Sequence, residues 1–258
     1  NGSQLPQRPQ TTLFRDLERP GLIVSNLTPN WFASIMGTGI VAVAAASLPL
    51  QFPGLRIAAT VVWAIAAVLL VALTIATVLH WIRYRSTAAR HHLNPVISHF
   101  YGAPPMAFLT VGAGTLLLGK DWVGLPAAVT IDWVLWTIGT IGGLLTAVLV
   151  PYLAFIRHEN KPDSAFGGWL MPIVPPMVSA STGALLLPYA PAGQARETLL
   201  WSCYGFFGLS LVTSLVVITL IWNRLAHHKV GAAGMVPTLW IVLGPVGRRV
   251  RLLGGGVP

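Results

Sequence analysis

The sequence predicts an all-α, polytopic membrane protein, a bundle of helical hairpins with six full spans and a partial seventh. Three observations carry that prediction. The chain is 54% hydrophobic and only 9% charged, with a mean hydropathy of +0.70, which leaves too little polar surface to cover a soluble globule. Long apolar runs approach or exceed the roughly 20 residues that a spanning helix needs. Of the ten tryptophans, Trp31, Trp81, Trp133, Trp169, Trp201 and Trp222 stand at or near the ends of those runs, where amphipathic rings favour the headgroup layer.

The predicted spans are Trp31 to Leu48, Ile57 to Ile82, Phe100 to Leu118, Ile131 to Ile156, Trp169 to Leu187 and Leu199 to Trp222. Each is continuously apolar, whereas a barrel strand would alternate over about 10 residues. They fall into three pairs, a shorter span then a longer one, with short turns such as Pro49 to Gly54 and Gly119 to Gly124. Before them lies a polar, Pro- and Gln-containing tail over residues 1–29, with no apolar core preceding a small-residue cleavage site. The first span is therefore expected to direct membrane entry. Residues 30–247 read as an incomplete transmembrane channel or transporter domain. Within it a seventh apolar segment, Met235 to Gly247, is too short to span and meets Arg248, Arg249 and Arg251. Residues 248–258 read as an atypical tail, and the chain as one that stops inside its seventh helix.

The formal net charge is +9, and its distribution points to membrane topology rather than to nucleic acid. Arg8, Arg15 and Arg19 precede the first span. Arg83, Arg85, Arg90, Arg157, Lys161, Arg224 and Lys229 occupy the even loops, while the odd loops hold only Arg56, Lys120 and Arg196. The positive-inside rule then puts the N-terminus and even loops in the cytoplasm of a cell (plasma or inner) membrane protein. The glycosylation patterns at Asn1 and Asn26 fall on that same side and carry no expectation. Cys203, the single cysteine, is read as packing.

The odd spans are broken and dotted with small or polar residues. The first holds Gly37, Thr38 and Gly39; the third holds Gly102, Pro104, Pro105, Thr110, Gly112 and Gly114; the fifth holds Pro172, Pro175, Pro176, Ser179, Ser181, Thr182 and Gly183. The second span has neither glycine nor proline, although the fourth, with Gly139, Gly142, Gly143 and Pro151, blurs the contrast. Irregular backbone at membrane depth is tolerated only where protein or water covers it. The odd spans are therefore expected to face inward and to mark a transport pathway. The alternative is that the small residues serve close helix packing alone.

Four stretches, NLTPNWFASIMGTGIVA (Asn26 to Ala42), NPVISHFYGAPPMAFLTVGAG (Asn94 to Gly114), GGWLMPIVPPMVSASTGALL (Gly167 to Leu186) and PTLWIVLGPVG (Pro237 to Gly247), resemble the tellurite-resistance/dicarboxylate transporter family. Bacterial TehA proteins, fungal malate and sulfite transporters and plant slow anion channels belong to it. The resemblance implies ten helices in five hairpins, odd helices lining a pore and even helices forming an outer ring, commonly as homotrimers with one pore per subunit. It also implies an occluding phenylalanine on a ninth helix, which this chain does not reach.

Passing an anion calls for favourable but weak coordination by neutral donors. The candidate lining residues are Gly37, Thr38, Gly39, His99, Phe100, Thr110, Pro175, Ser179, Ser181 and Thr182. For the hydroxyls the competing expectation is a bond to the helix's own i−4 carbonyl; for His99 it is an interfacial anchor and for Phe100 packing. Asp132 is read as lying at the membrane edge, which leaves no acidic group deep in a span and favours anions over cations. The substrates expected are small inorganic anions or C4-dicarboxylates such as malate, with a proton-coupled carrier, a sulfite- or tellurite-related efflux protein and a non-conducting fragment as alternatives. No cofactor or metal is expected: His91-His92 and His227-His228 lack companion ligands, and neither a phosphate loop nor a nucleophile elbow occurs.

Overall fold

The computed structural model describes residues 24–157, 163–228 and 233–244, and among them every regular element is helical. Residues 1–23 and the 248–258 tail lie outside the described residues. A 3-10 turn at Pro29–Trp31 leads into α1 (Phe32–Ser47), which is followed by α2 (Leu55–Arg83) and the short α3 (Arg85–His91). A second 3-10 turn, Ile97–Gly102, opens α4 (Ala103–Gly114); this rod continues through a π-turn at Thr115–Gly119 and a last turn at Lys120–Val123. Then come α5 (Leu125–Ile156), α6 (Pro175–Leu186) and α7 (Gln194–His228), and the 3-10 segment Ala233–Val242 packs against another at Gly167–Leu170.

Among the described residues, five helical stretches are long and apolar enough to cross a membrane. The fifth apolar segment of the sequence is the exception, because prolines at 172, 175 and 176 confine its α-helix to Pro175–Leu186. The sequence window of the fourth span also starts late. Its helix begins at Leu125, since the chain reverses only at Gly124, which takes φ +84°. Gly54 and Gly193 take φ +90° immediately before α2 and α7. Each hairpin thus turns on a glycine in a conformation that side chains with a Cβ rarely adopt. The first two corners lie side by side, joined by Arg56, which donates to Asp121 Oδ2 from Nε at 3.1 Å and from Nη2 at 2.5 Å. Both partners are half exposed, so the pair registers the corners more than it stabilises them.

Burial sets α4 and α6 apart from the more exposed α1, α2, α5 and α7. In α4 the residues from Leu109 to Gly114 are all buried, and α6 is buried from Pro175 through Ala180. By contrast only 11% of the α2 span is buried. α7 buries a single stripe at helical spacing, Leu199, Cys203, Ser210, Ser214 and Ile221. Helices in lipid gain little from apolar transfer against one another, so close packing of small residues decides who neighbours whom. The hairpin partners α1–α2, α4–α5 and α6–α7 pack together, and α4 packs on both α1 and α6. The inner layer is therefore an arc in the order α1–α4–α6.

Candidate permeation pathway

Glycine contacts fix how the arc is built. A Cβ added at Gly39 would lie 2.9 Å from Thr110 Oγ1, so α1 crosses α4 there. Gly139 faces Leu109 and the Pro105 carbonyl, Gly142 faces Pro105, and Gly143 faces Pro175. The glycine-rich α5 thus carries both α4 and α6 on one side, which explains why the fourth span departs from the glycine-free pattern of the second. A Cβ at Gly102 would collide with the Met171 carbonyl, so the entries to α4 and α6 touch backbone to backbone.

The sequence-predicted residues divide between helix seams and open faces. Gly39, Thr110, Pro175, Ser179 and Thr182 are buried in seams. Thr110 Oγ1 donates to the Met106 carbonyl at 2.9 Å, Ser179 Oγ to Pro175 at 3.2 Å, and Ser181 Oγ and Thr182 Oγ1 to Val178 at 2.9 Å. These hydroxyls thus follow the local-carbonyl alternative. His99 is also buried: its Nδ1 donates to the Pro95 carbonyl at 2.7 Å, and its ring stacks on Trp169 with Phe166 edge-on. Phe100 packs half-buried against the core.

Half-covered faces remain on all three inner helices. α1 presents Ser34, Gly37, Thr38 and Val41, and nothing lies within 4 Å of where a Cβ on Gly37 would be. On α4 and its leading turn, Tyr101, Pro104 and Phe108 recur at helical spacing and are partly covered, flanking Pro105, Leu109 and Gly112, which meet α5. α6 presents Ser181, Ala184 and Leu185. The faces carry small residues, hydroxyls and apolar groups, without a charged side chain.

Several site-shaping residues escaped the sequence reading. Trp136 Nε1 donates to the Ser179 carbonyl at 2.9 Å, pinning α6 to α5. Trp63 lies against Gly114 and Gly119 and donates to Thr115 Oγ1 at 3.3 Å. Their mid-span position was the available signal, since tryptophans away from the headgroup layer need a buried partner. Ser210 Oγ donates to the Ile173 carbonyl at 2.7 Å. That carbonyl has no helical partner, because Pro176 lacks an N–H and the Met177 N–H goes to Val174 instead.

Asp132 carries a feature beyond its expected place near a span's end. It is fully buried, two turns into α5, with its carboxyl oxygens against Gly112 of α4 and without a hydrogen-bond partner among the described residues. The missing side chain at Gly112 lets α4 close over it.

At the arginine-rich end, His80 stacks on His91 with ring centroids 5.4 Å apart. Burial first, and then neighbouring His80, push the His91 imidazole below its ordinary range.

Comparison with known proteins agrees with this architecture. An uncharacterized transporter of Methanocaldococcus jannaschii is 31% identical over 232 residues, which cover 90% of this chain and 64% of the relative. The sulfite efflux pump of Arthroderma otae is 24% identical over 253 residues, covering 93% of this chain and 66% of that protein. The malic acid transport protein of Schizosaccharomyces pombe is 24% identical over 257 residues, covering 93% and 56%. The chain thus spans less than two thirds of the length of these relatives. The family described as voltage-dependent anion channel, SLAC1, matches residues 26–250. With nearly every described residue inside that match and an inner arc of broken helices behind it, the chain belongs to the SLAC1 family of voltage-dependent anion channels.

Proposed function

We propose that this chain moves small anions, inorganic oxyanions or C4-dicarboxylates, across a bilayer along the half-covered side of the α1–α4–α6 arc. The observation that carries the reading is the composition of that side. Gly37 of α1 and Ser181 of α6 offer small, neutral surfaces and Thr38 adds a hydroxyl donor, with no charge to trap or repel an anion. The sulfite and malate transport named for relatives supports the same substrate class. In this reading the arginine-rich end, with Arg83, Arg85 and Arg90, faces the cytoplasm of a plasma or inner membrane and raises the local anion concentration. Subunits assemble as a homo-oligomer, a trimer by resemblance. The buried Gly39, Thr110, Pro175, Ser179 and Thr182 then shape the wall from behind, while Phe100 and His99 brace one end.

Anion flux in proteoliposomes carrying the chain tests this. Thr38→Val and Ser181→Ala are each expected to alter flux or selectivity without loss of folded protein; wild-type transport in both variants refutes the proposed lining.

One observation favours a second reading, a proton-coupled carrier. A carboxyl group held without partners in the α4–α5 seam is a group able to take up and release a proton during a transport cycle. Uptake that follows an imposed pH gradient in wild type, and loses that response in Asp132→Asn, selects the carrier; a purely voltage-driven current in both selects the channel.

A further inference from the structure

At the arginine-rich end a small cavity of about 40 Å³ lies between the entry to α1, the end of α2, α3 and the turn into α4. Thr28, Thr77, His80, His91, Tyr101 and Pro104 contribute to its wall, and none of the lining residues is acidic. His80 is 2% exposed. Its Nδ1 stands 2.7 Å from the Val24 carbonyl, which only accepts, so Nδ1 carries the hydrogen and the ring is fixed in place. The opposite nitrogen, Nε2, has no partner among the described residues. Thr77 Oγ1 is likewise buried and unpartnered. Elsewhere Thr60, Thr130, Thr137, Thr213 and Thr219 all give their hydroxyls to an i−4 carbonyl. Thr77 and its neighbour Thr74 do not.

Two buried polar atoms without partners on one cavity wall define a place for a hydrogen-bonding ligand. The lining selects the sign. Its titratable groups are His80 at the end of α2, His91 of α3 and Tyr101 before α4, the α1 entry adds none, and no carboxylate opposes an anion. Arg83, Arg85 and Arg90 stand nearby in sequence with exposed side chains outside the lining. We propose that this cavity binds a small oxyanion, which accepts hydrogen bonds from Thr77 Oγ1 and from the His91 imidazole stacked on His80. An anion beside His91 favours the charged form of that ring. His91 lies below its ordinary range, so anion and proton uptake reinforce each other. Tyr101 and Pro104 also belong to the half-covered face of α4, so the site adjoins the passage. Its role in transport rests on the function proposed above, whereas the binding itself does not.

Equilibrium dialysis of the purified chain with radiolabelled sulfate tests the site, because sulfate keeps its charge from about pH 6 to about pH 8 while imidazole does not. Saturable binding at about pH 6, weakened at least about fivefold at about pH 8, is expected. The near-isosteric Thr77→Val and the partly exposed His91→Gln are each expected to weaken binding about fivefold or more, with Arg85→Gln within about twofold of wild type. Absence of saturable binding, or wild-type affinity in both Thr77→Val and His91→Gln, overturns the site. Sulfate binding without anion flux in proteoliposomes overturns the transport reading and keeps the site; flux without sulfate binding does the reverse.

Discussion

Gly37 and Gly39 stand two residues apart on α1 and answer to different demands, so placing an alanine at each separates wall from seam. At Gly37 a methyl group meets nothing within 4 Å. At Gly39 it would lie 2.9 Å from Thr110 Oγ1 and 3.1 Å from its Cβ, inside the ordinary contact distance of 3.4–4 Å. Thr110 has little freedom to retreat, because its hydroxyl is held by the Met106 and Ala107 carbonyls at 2.9 and 3.1 Å. Relief therefore requires α1 and α4 to part by about 0.5 Å or the threonine to give up its bonds. Overpacking of this kind costs about 1–3 kcal/mol, against a helix-propensity gain of up to about 1 kcal/mol on replacing glycine by alanine. The gain is common to both variants, so Gly39→Ala is expected to be less stable than Gly37→Ala by about 1–3 kcal/mol. Thermal unfolding in detergent, followed by loss of the monodisperse species, measures the difference. Adding Thr110→Ala to Gly39→Ala should restore part of it, with a coupling of about 0.5–3 kcal/mol, whereas Gly37→Ala with Thr110→Ala should be additive. Equal stability of the two single variants and no coupling would refute the seam. Flux then separates them in the other direction: Gly37→Ala is expected to fold at least as well as wild type yet pass anions more slowly.

Trp136→Phe keeps the ring and removes the donor to the Ser179 carbonyl, so a loss of about 1 kcal/mol is expected in thermal unfolding. Ser210→Ala strands the Ile173 carbonyl, for about 1–3 kcal/mol, and Ser210→Thr should recover most of it. The depressed His91 gives a sign for pH dependence. Its folded value lies below the unfolded one, so the unfolded chain binds the extra proton, and the contribution to stability is present at neutral pH and lost as pH falls through the ordinary histidine value near about 6.5. Unfolding temperatures measured in anion-free buffer should fall on acidification, and less steeply in His91→Gln. A steeper fall in that variant contradicts the assignment.

Much of the architecture was legible because it rests on residues whose chemistry is one-sided. Proline cannot donate, and buried broken backbone must be covered, so Pro104, Pro105, Pro175 and Pro176 placed α4 and α6 in the inner layer from sequence alone. The pairing of short with long spans was legible too, since the corners need glycine. The starts of helices were harder. Ile131 opens the apolar run, but nothing in composition says that Leu125 to Thr130 already coil, or that Gly112 of α4 closes over Asp132. The hydroxyls divided for a different reason. Ser181 and Thr182 are adjacent and alike, yet one sits on an open face and the other in a seam, a distinction set by rotation of α6 against its neighbours rather than by residue type. Trp63 and Trp136 stand mid-run, where a tryptophan needs a buried hydrogen-bond partner that composition alone does not name.

The Ile173 carbonyl, stranded by Pro176 and captured by Ser210, gives an outer helix authority over the contour of the inner wall. A screen for conduction phenotypes that sampled only positions bordering the proposed passage would never reach Ser210. Variation on the lipid-ward ring should therefore tune what passes, and two homologues with identical linings need not conduct alike.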